Sequence, residues 1–127
     1  KIKLIGLDIS RYAIKNSHNI IKKDLIYFDA RKKLPFKNKE FDLAISLGTF
    51  HNFELDELKI SLSEIRRVSK KSYVMVESYR NNHELFNLQC WALTANSFFS
   101  KKEWIWLYNE FNYDGDYEFI YFKNLKN

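Results

Sequence analysis

Glycine is scarce in this chain. Gly6, Gly48 and Gly115 are the only three in 127 residues, and no two of them stand in a G-x-G cluster. A glycine-rich turn that cradles phosphate is therefore excluded from these residues. Cys90 is the single cysteine, which excludes an internal disulfide and fits a reducing compartment. Pro35 is the single proline, in a basic loop from Arg31 to Glu40. No stretch approaches the ~20 apolar residues of a membrane span, and no signal-peptide pattern opens the chain. The expected location is cytoplasmic, with no membrane partner. The net charge of +5 is spread over short blocks such as Lys22-Lys23, Arg66-Arg67 and Lys70-Lys71, with acids between them. Scattered blocks of this kind are usually solvated faces, so a nucleic-acid partner is not expected.

What is present reads as alternating strands and helices. Phe41 to Leu47 is a seven-residue run in which only Asp42 and Ser46 are polar. Such a run fits a strand covered on both faces, as in the middle of a parallel sheet. It stops at Gly48 and passes into a polar and aromatic loop from Thr49 to Phe53. Leu55, Leu58, Leu62, Ile65 and Val68 then recur every three or four residues, the stripe of a helix lying on a sheet. Earlier strands are expected over Lys1 to Ile9 and Leu25 to Phe28, and Ser10 is a good N-cap for a helix from Arg11 to Ser17. A fourth strand, Tyr73 to Val76, leads to Glu77.

Beyond it the texture changes. Glu84 to Ala95 reads as a helix apolar on more than one side, with Cys90, Trp91, Phe98, Phe99 and Trp104 expected in the core. Ser100 and Glu103 form a capping box at the start of another helix. Asp114-Gly115 is a turn before a last strand, Tyr117 to Phe122. The expectation is one domain over residues 1–127, α/β in class, with a Rossmann-like, doubly wound, mostly parallel sheet between two helical layers. Ligands in such sheets sit where strands end at their carboxyl side, which places the working face at Gly48, Thr49 and His51.

In nucleoside-binding βαβ units a glycine-rich turn comes first, and an acid at the end of the next strand takes the ribose hydroxyls about 20 residues later. Asp8 has the context of that acid, yet only seven residues precede it. The expectation is a domain truncated at its N-terminus, lacking the first strand and the phosphate-binding turn.

Five segments together give the chain a family resemblance: Ile5 to Ser10, Asp29-Ala30 with Leu34 to Phe36, Phe41 to Ser46, and Glu64 to Val68 before the strand at Tyr73. In this order and spacing the chain resembles the class I S-adenosylmethionine-dependent methyltransferases from their second strand onward. The resemblance covers about residues 1–80, the cofactor side, and residues 81–127 look like the variable substrate side with a last strand. It implies S-adenosyl-L-methionine as cofactor. Asp8 then corresponds to the acid that accepts from the ribose hydroxyls, and Ile9 to the apolar residue against adenine. Asp29 corresponds to the acid that takes the adenine amino group, beside the Ala30 amide. Ser46, Leu47 and Gly48 correspond to the strand end that runs beneath the cofactor, and His51 to a catalytic base where the acceptor has a proton to lose. No metal is implied. Amino-methylating members carry an Asn or Asp and two prolines after this strand, where this chain has Ser46 to Thr49. A small-molecule acceptor is the expectation that remains.

Bland readings stand beside these. Asp8 could serve the start of a helix, Asp29 a turn, and His51 a loop backbone. Tyr79 and Arg80, after the fourth strand, could touch substrate. Two rival functions stay open: a nicotinamide-dependent dehydrogenase on the same sheet, and a non-catalytic remnant that oligomerises through exposed sheet edges or binds nucleic acid.

Overall fold

A computed structural model describes residues 2–123. Lys1, the expected start of the first strand, and residues 124–127 lie outside the described residues.

The strands are β1 (Gly6–Asp8), β2 (Leu25–Tyr27), β3 (Phe41–Leu47), β4 (Ser69–Ser78) and β5 (Asp116–Tyr121). The helices are α1 (Arg11–Lys15), α2 (Asn19–Lys22), α3 (Leu55–Val68), α4 (Asn82–Trp91) and α5 (Lys101–Glu110), with a 3-10 turn at Phe50–Asn52. Every strand pair is parallel, and strands alternate with helices, so the fold is α/β and Rossmann-like.

The strands form two parallel sheets, β1-β2 and β3-β4-β5. Among the described residues nothing pairs with the outer edge of β1 or of β3. The first strand is accordingly shorter than the expected run to Ile9. Without a second neighbour its early residues have no layer to enter, and Ile2 is 92% exposed.

One face of the larger sheet is packed. Leu58, Leu62 and Ile65 of α3 and Trp104, Leu107 and Tyr108 of α5 close over Val74 and Val76 of β4, joined by Phe50 and Phe53. The stripe on α3 explains this: Leu58, Leu62, Ile65 and Val68 are buried, while Leu55 and Ile60 stay exposed. Ser100 caps α5 through the Glu103 amide at 3.3 Å, while Glu103 returns a carboxylate to the Ser100 amide at 2.6 Å.

The other face is open at β3. Leu43, Ile45 and Leu47 alternate with Ala44 and Ser46 and are 52%, 57% and 58% exposed. This corrects the expectation of a strand covered on both faces. Apolar composition fits β3 for a central position, but its neighbours place it at an edge. Cys90 is likewise exposed rather than core, because α4 buries only the side bearing Glu84, Asn87 and Leu88. Trp91 on the same helix is 52% exposed.

Loop 34–38 is held by a clamp on α3. The Glu64 carboxylate accepts from the Leu34 amide at 2.7 Å and from Arg67 at 2.8 and 2.7 Å. Arg67 also donates to the Phe36 and Leu34 carbonyls, at 2.8 and 3.0 Å. The polypeptide between β2 and β3 is thereby tied to the helix that follows β3.

Candidate functional site

β1 ends at Asp8, whose carbonyl accepts from the Phe28 amide at 3.0 Å and so holds the ends of β1 and β2 side by side. The exposed Asp8 carboxylate accepts from the Ser10 amide at 2.7 Å through Oδ1. Oδ2 makes no hydrogen bond among the described residues. Ser10 turns to cap α1, its Oγ accepting from the Ala13 amide at 3.1 Å. A free carboxylate oxygen is thus presented two residues before the N-cap of a helix.

A cleft of about 360 Å³ opens at this point. Asp8 and Ile9 from the end of β1, Asp29 and Ala30 from the end of β2, and Thr49 and Asn52 from beyond β3 all line it. The carboxyl ends of both sheets therefore meet at one place. Its volume is near the lower end for small-molecule sites.

Asp29 is already engaged. Arg31 donates to it edge-on, Nε to Oδ1 at 2.8 Å and Nη2 to Oδ2 at 2.9 Å, and the Arg31 amide adds a bond at 3.0 Å. This guanidinium holds the Asp29 carboxyl below the usual carboxylate range, against the upward push of burial. A carboxylate has about four lone-pair sites, so Asp29 keeps capacity for a ligand donor. Arg31 is fixed in turn by Glu57 at 3.4 Å. The Ala30 carbonyl accepts from Ser61 Oγ at 3.0 Å.

The remaining expected site residues lie elsewhere. Ser46 is buried beneath the strand end, with no hydrogen-bond partner for its Oγ among the described residues. Leu47 sits on the open face. Gly48 adopts a left-handed φ of 61°, and its amide donates to the Met75 carbonyl at 2.9 Å. His51 is 5% exposed and does not line the cleft. It lies on the other side of the 3-10 turn from Thr49, Asn52 and Phe53. Its Nδ1 stands 2.5 Å from Glu77 Oε2, and its ring centroid 6.5 Å from that of Trp91. Arg80 is tied to Glu84 and lies over the Tyr121 ring at 4.1 Å, while the Tyr79 carbonyl accepts from the Lys101 amide at 3.2 Å.

Sequence reasoning missed Arg31, Asn52 and Glu77. Arg31 carried a signal, an arginine two residues after a strand-end acid. Glu77 carried a weaker one, an acid at the end of an apolar strand. Asn52 carried none beyond its place in the loop; in the structure it accepts from Thr94 Oγ1 at 2.9 Å and so joins the substrate-side segment to the cleft wall.

The methyltransferase domain family matches residues 2–76, more than half of the chain. The chain belongs to this family. Between the two enzyme readings, the match favours the methyltransferase over the dehydrogenase. An uncharacterized protein of Methanocaldococcus jannaschii is 36% identical to this methyltransferase domain over 81 residues, 64% of this chain and 31% of its own length. The chain thus spans about a third of that relative. No solved structure matches it.

The donor set of the cleft fits the nucleoside half of a methyl donor: a free carboxylate oxygen for a sugar diol, an apolar Ile9, and a second acid at the far wall. Among the described residues no helix is long and apolar enough to cross a membrane.

Proposed function

We propose that this domain transfers methyl groups from S-adenosyl-L-methionine to a small-molecule acceptor. The observation that carries the reading is the meeting of Asp8 and Asp29 across one cleft at the carboxyl ends of two parallel strands. Asp8 accepts from the ribose hydroxyls, and its charge strengthens each bond. Ile9 lies against the adenine. Asp29, held by Arg31, takes the exocyclic amino group, with the Ala30 amide beside it. When bound, the cofactor supplies an electrophilic methyl group on a sulfonium. The protein's part is then alignment and exclusion of water, a positioning effect. His51 stands outside the cleft wall, and an acceptor bound on its side would give its proton to it.

Equilibrium binding of labelled S-adenosylhomocysteine, compared with NAD, tests this. S-adenosylhomocysteine is expected to bind, and Asp8→Asn to weaken it about tenfold or more, the loss of charge-assisted bonds worth roughly 1.5–3 kcal/mol. Binding of NAD alone overturns the reading.

A second reading, a non-catalytic module that associates with another chain, is favoured by the free edges of β1 and β3. Binding of S-adenosylhomocysteine separates the two.

A further inference from the structure

Glu77 and His51 are both buried, each 5% exposed, at the carboxyl ends of β4 and β3. Nδ1 and Oε2 stand 2.5 Å apart without the alignment of a hydrogen bond, and neither atom has a hydrogen-bond partner among the described residues. Taking a carboxylate this far from water is costly unless it is paired. The two unpartnered atoms face each other at the ligand end of an α/β sheet. The surroundings are shaped for them. A Cβ at Gly48 would lie 2.9 Å from Glu77 Oε1, and φ there is already left-handed, so glycine leaves room that no other residue does. The His51 carbonyl accepts from the Asn96 and Ser97 amides at 3.1 and 3.0 Å. The backbone that carries the imidazole is thus fixed, and Nδ1 lies against Glu77.

We propose that Glu77 is the positioning residue for His51, and that the pair serves acceptors whose nucleophile is a hydroxyl. The proposal rests on the methyl-transfer reading above and deepens it. A small turn of the ring aligns Nδ1–H with Glu77 and leaves the only lone pair of the ring at Nε2. The hydroxyl proton passes to that nitrogen as the hydroxyl oxygen bonds the methyl carbon; the carbon–sulfur bond breaks and sulfur keeps its electron pair. Glu77 stays ionised and balances the imidazolium so formed, the part a carboxylate plays behind a histidine base in hydrolases.

Long-range proton–nitrogen correlation spectra of the nitrogen-15-labelled protein report which ring nitrogen carries hydrogen. The expected wild-type result is an Nδ1–H tautomer with an unprotonated Nε2 on the basic side of the titration. Glu77→Met, which removes the acceptor at similar size, is expected to lose that preference, and Glu77→Gln, which keeps an acceptor oxygen, to retain it. If Glu77→Met does not fold, the wild-type spectrum decides alone. A ring protonated on Nε2, or one that keeps both protons over about pH 6 to 9, overturns the proposal, since no lone pair is then free. S-adenosylhomocysteine binding measured on the same sample separates the two layers. Binding with an Nε2–H ring sinks the pair and leaves the methyl-transfer reading standing. Absence of binding overturns that reading, and the proton transfer with it, whatever the tautomer.

Discussion

Glu64 is 8% exposed and joins two pieces of chain: its own helix, where it pairs with Arg67 one turn on, and the Leu34 amide thirty residues away in sequence. Hydrogen bonds from the Arg67 guanidinium hold its carboxyl below the ordinary 4.5, outweighing the upward push of burial. A carboxyl whose value is depressed by folding binds fewer protons folded than unfolded in that window, so stability rises with pH there. The contribution is complete above 4.5 and disappears as pH falls through the lowered value. Urea unfolding followed from neutral pH downward is expected to show this loss. Glu64→Gln is expected to unfold about 2 kcal/mol more easily at neutral pH, the worth of a charged hydrogen bond, and to flatten the acid limb. An unchanged acid limb would show that other carboxyls govern it. At this scale the sequence showed Asp8 and Asp29, because an acid at the end of an apolar strand has a recognisable context. It did not show that Arg31 occupies Asp29, or that Glu77 faces His51. Those pairings depend on which strand ends lie side by side, and spacing along the chain does not determine that.

Among the elements, α3 and β3 were legible to the residue. Five apolar positions at helical spacing can be satisfied only by a helix with one covered side, and an apolar run stopped by glycine has one extent. β4 was half hidden. Ser69, Lys70 and Lys71 do not read as a strand, yet Phe41 pairs with Ser69 and Leu43 with Lys71, so partnership extends the strand back to the last residue of α3. α4 ends at Trp91 rather than reaching Ala95, since an apolar sequence alone carries no stop signal. Leu58 and Leu62 of α3 are fully buried. Leu62→Ala is expected to cost about 2–5 kcal/mol, transfer and cavity together, against a total stability of about 5–15 kcal/mol for a typical domain. Thermal denaturation should show a large fall in the midpoint, much greater than for loss of the Ser100 cap by Ser100→Ala, worth about 1 kcal/mol. Comparable falls for the two would mean that α3 is not the main support of the sheet.

At the largest scale, one face of the larger sheet is packed and the other is open at β3. Leu43, Ile45 and Leu47 present their side chains to water along a strand whose outer edge also leaves its backbone unpaired. Natural edge strands are blunted by lysine, proline or shortness. β3 is seven residues long and carries neither. Its apolar run was read as buried on both faces because composition records what a strand needs for burial, not which neighbours supply it. An unprotected edge beside an apolar face favours pairing with another chain. Light scattering over a concentration series is therefore expected to show association that grows with concentration. Ile45→Lys places a charge in the middle of the open face, away from the packed core, and should suppress association while shifting unfolding by no more than about 0.5 kcal/mol. A protein that stays monomeric at every concentration before the substitution would mean that the edge is not sticky. A variant that still associates would move the contact elsewhere, with the exposed side of α4 around Phe86 and Trp91 the next surface to charge.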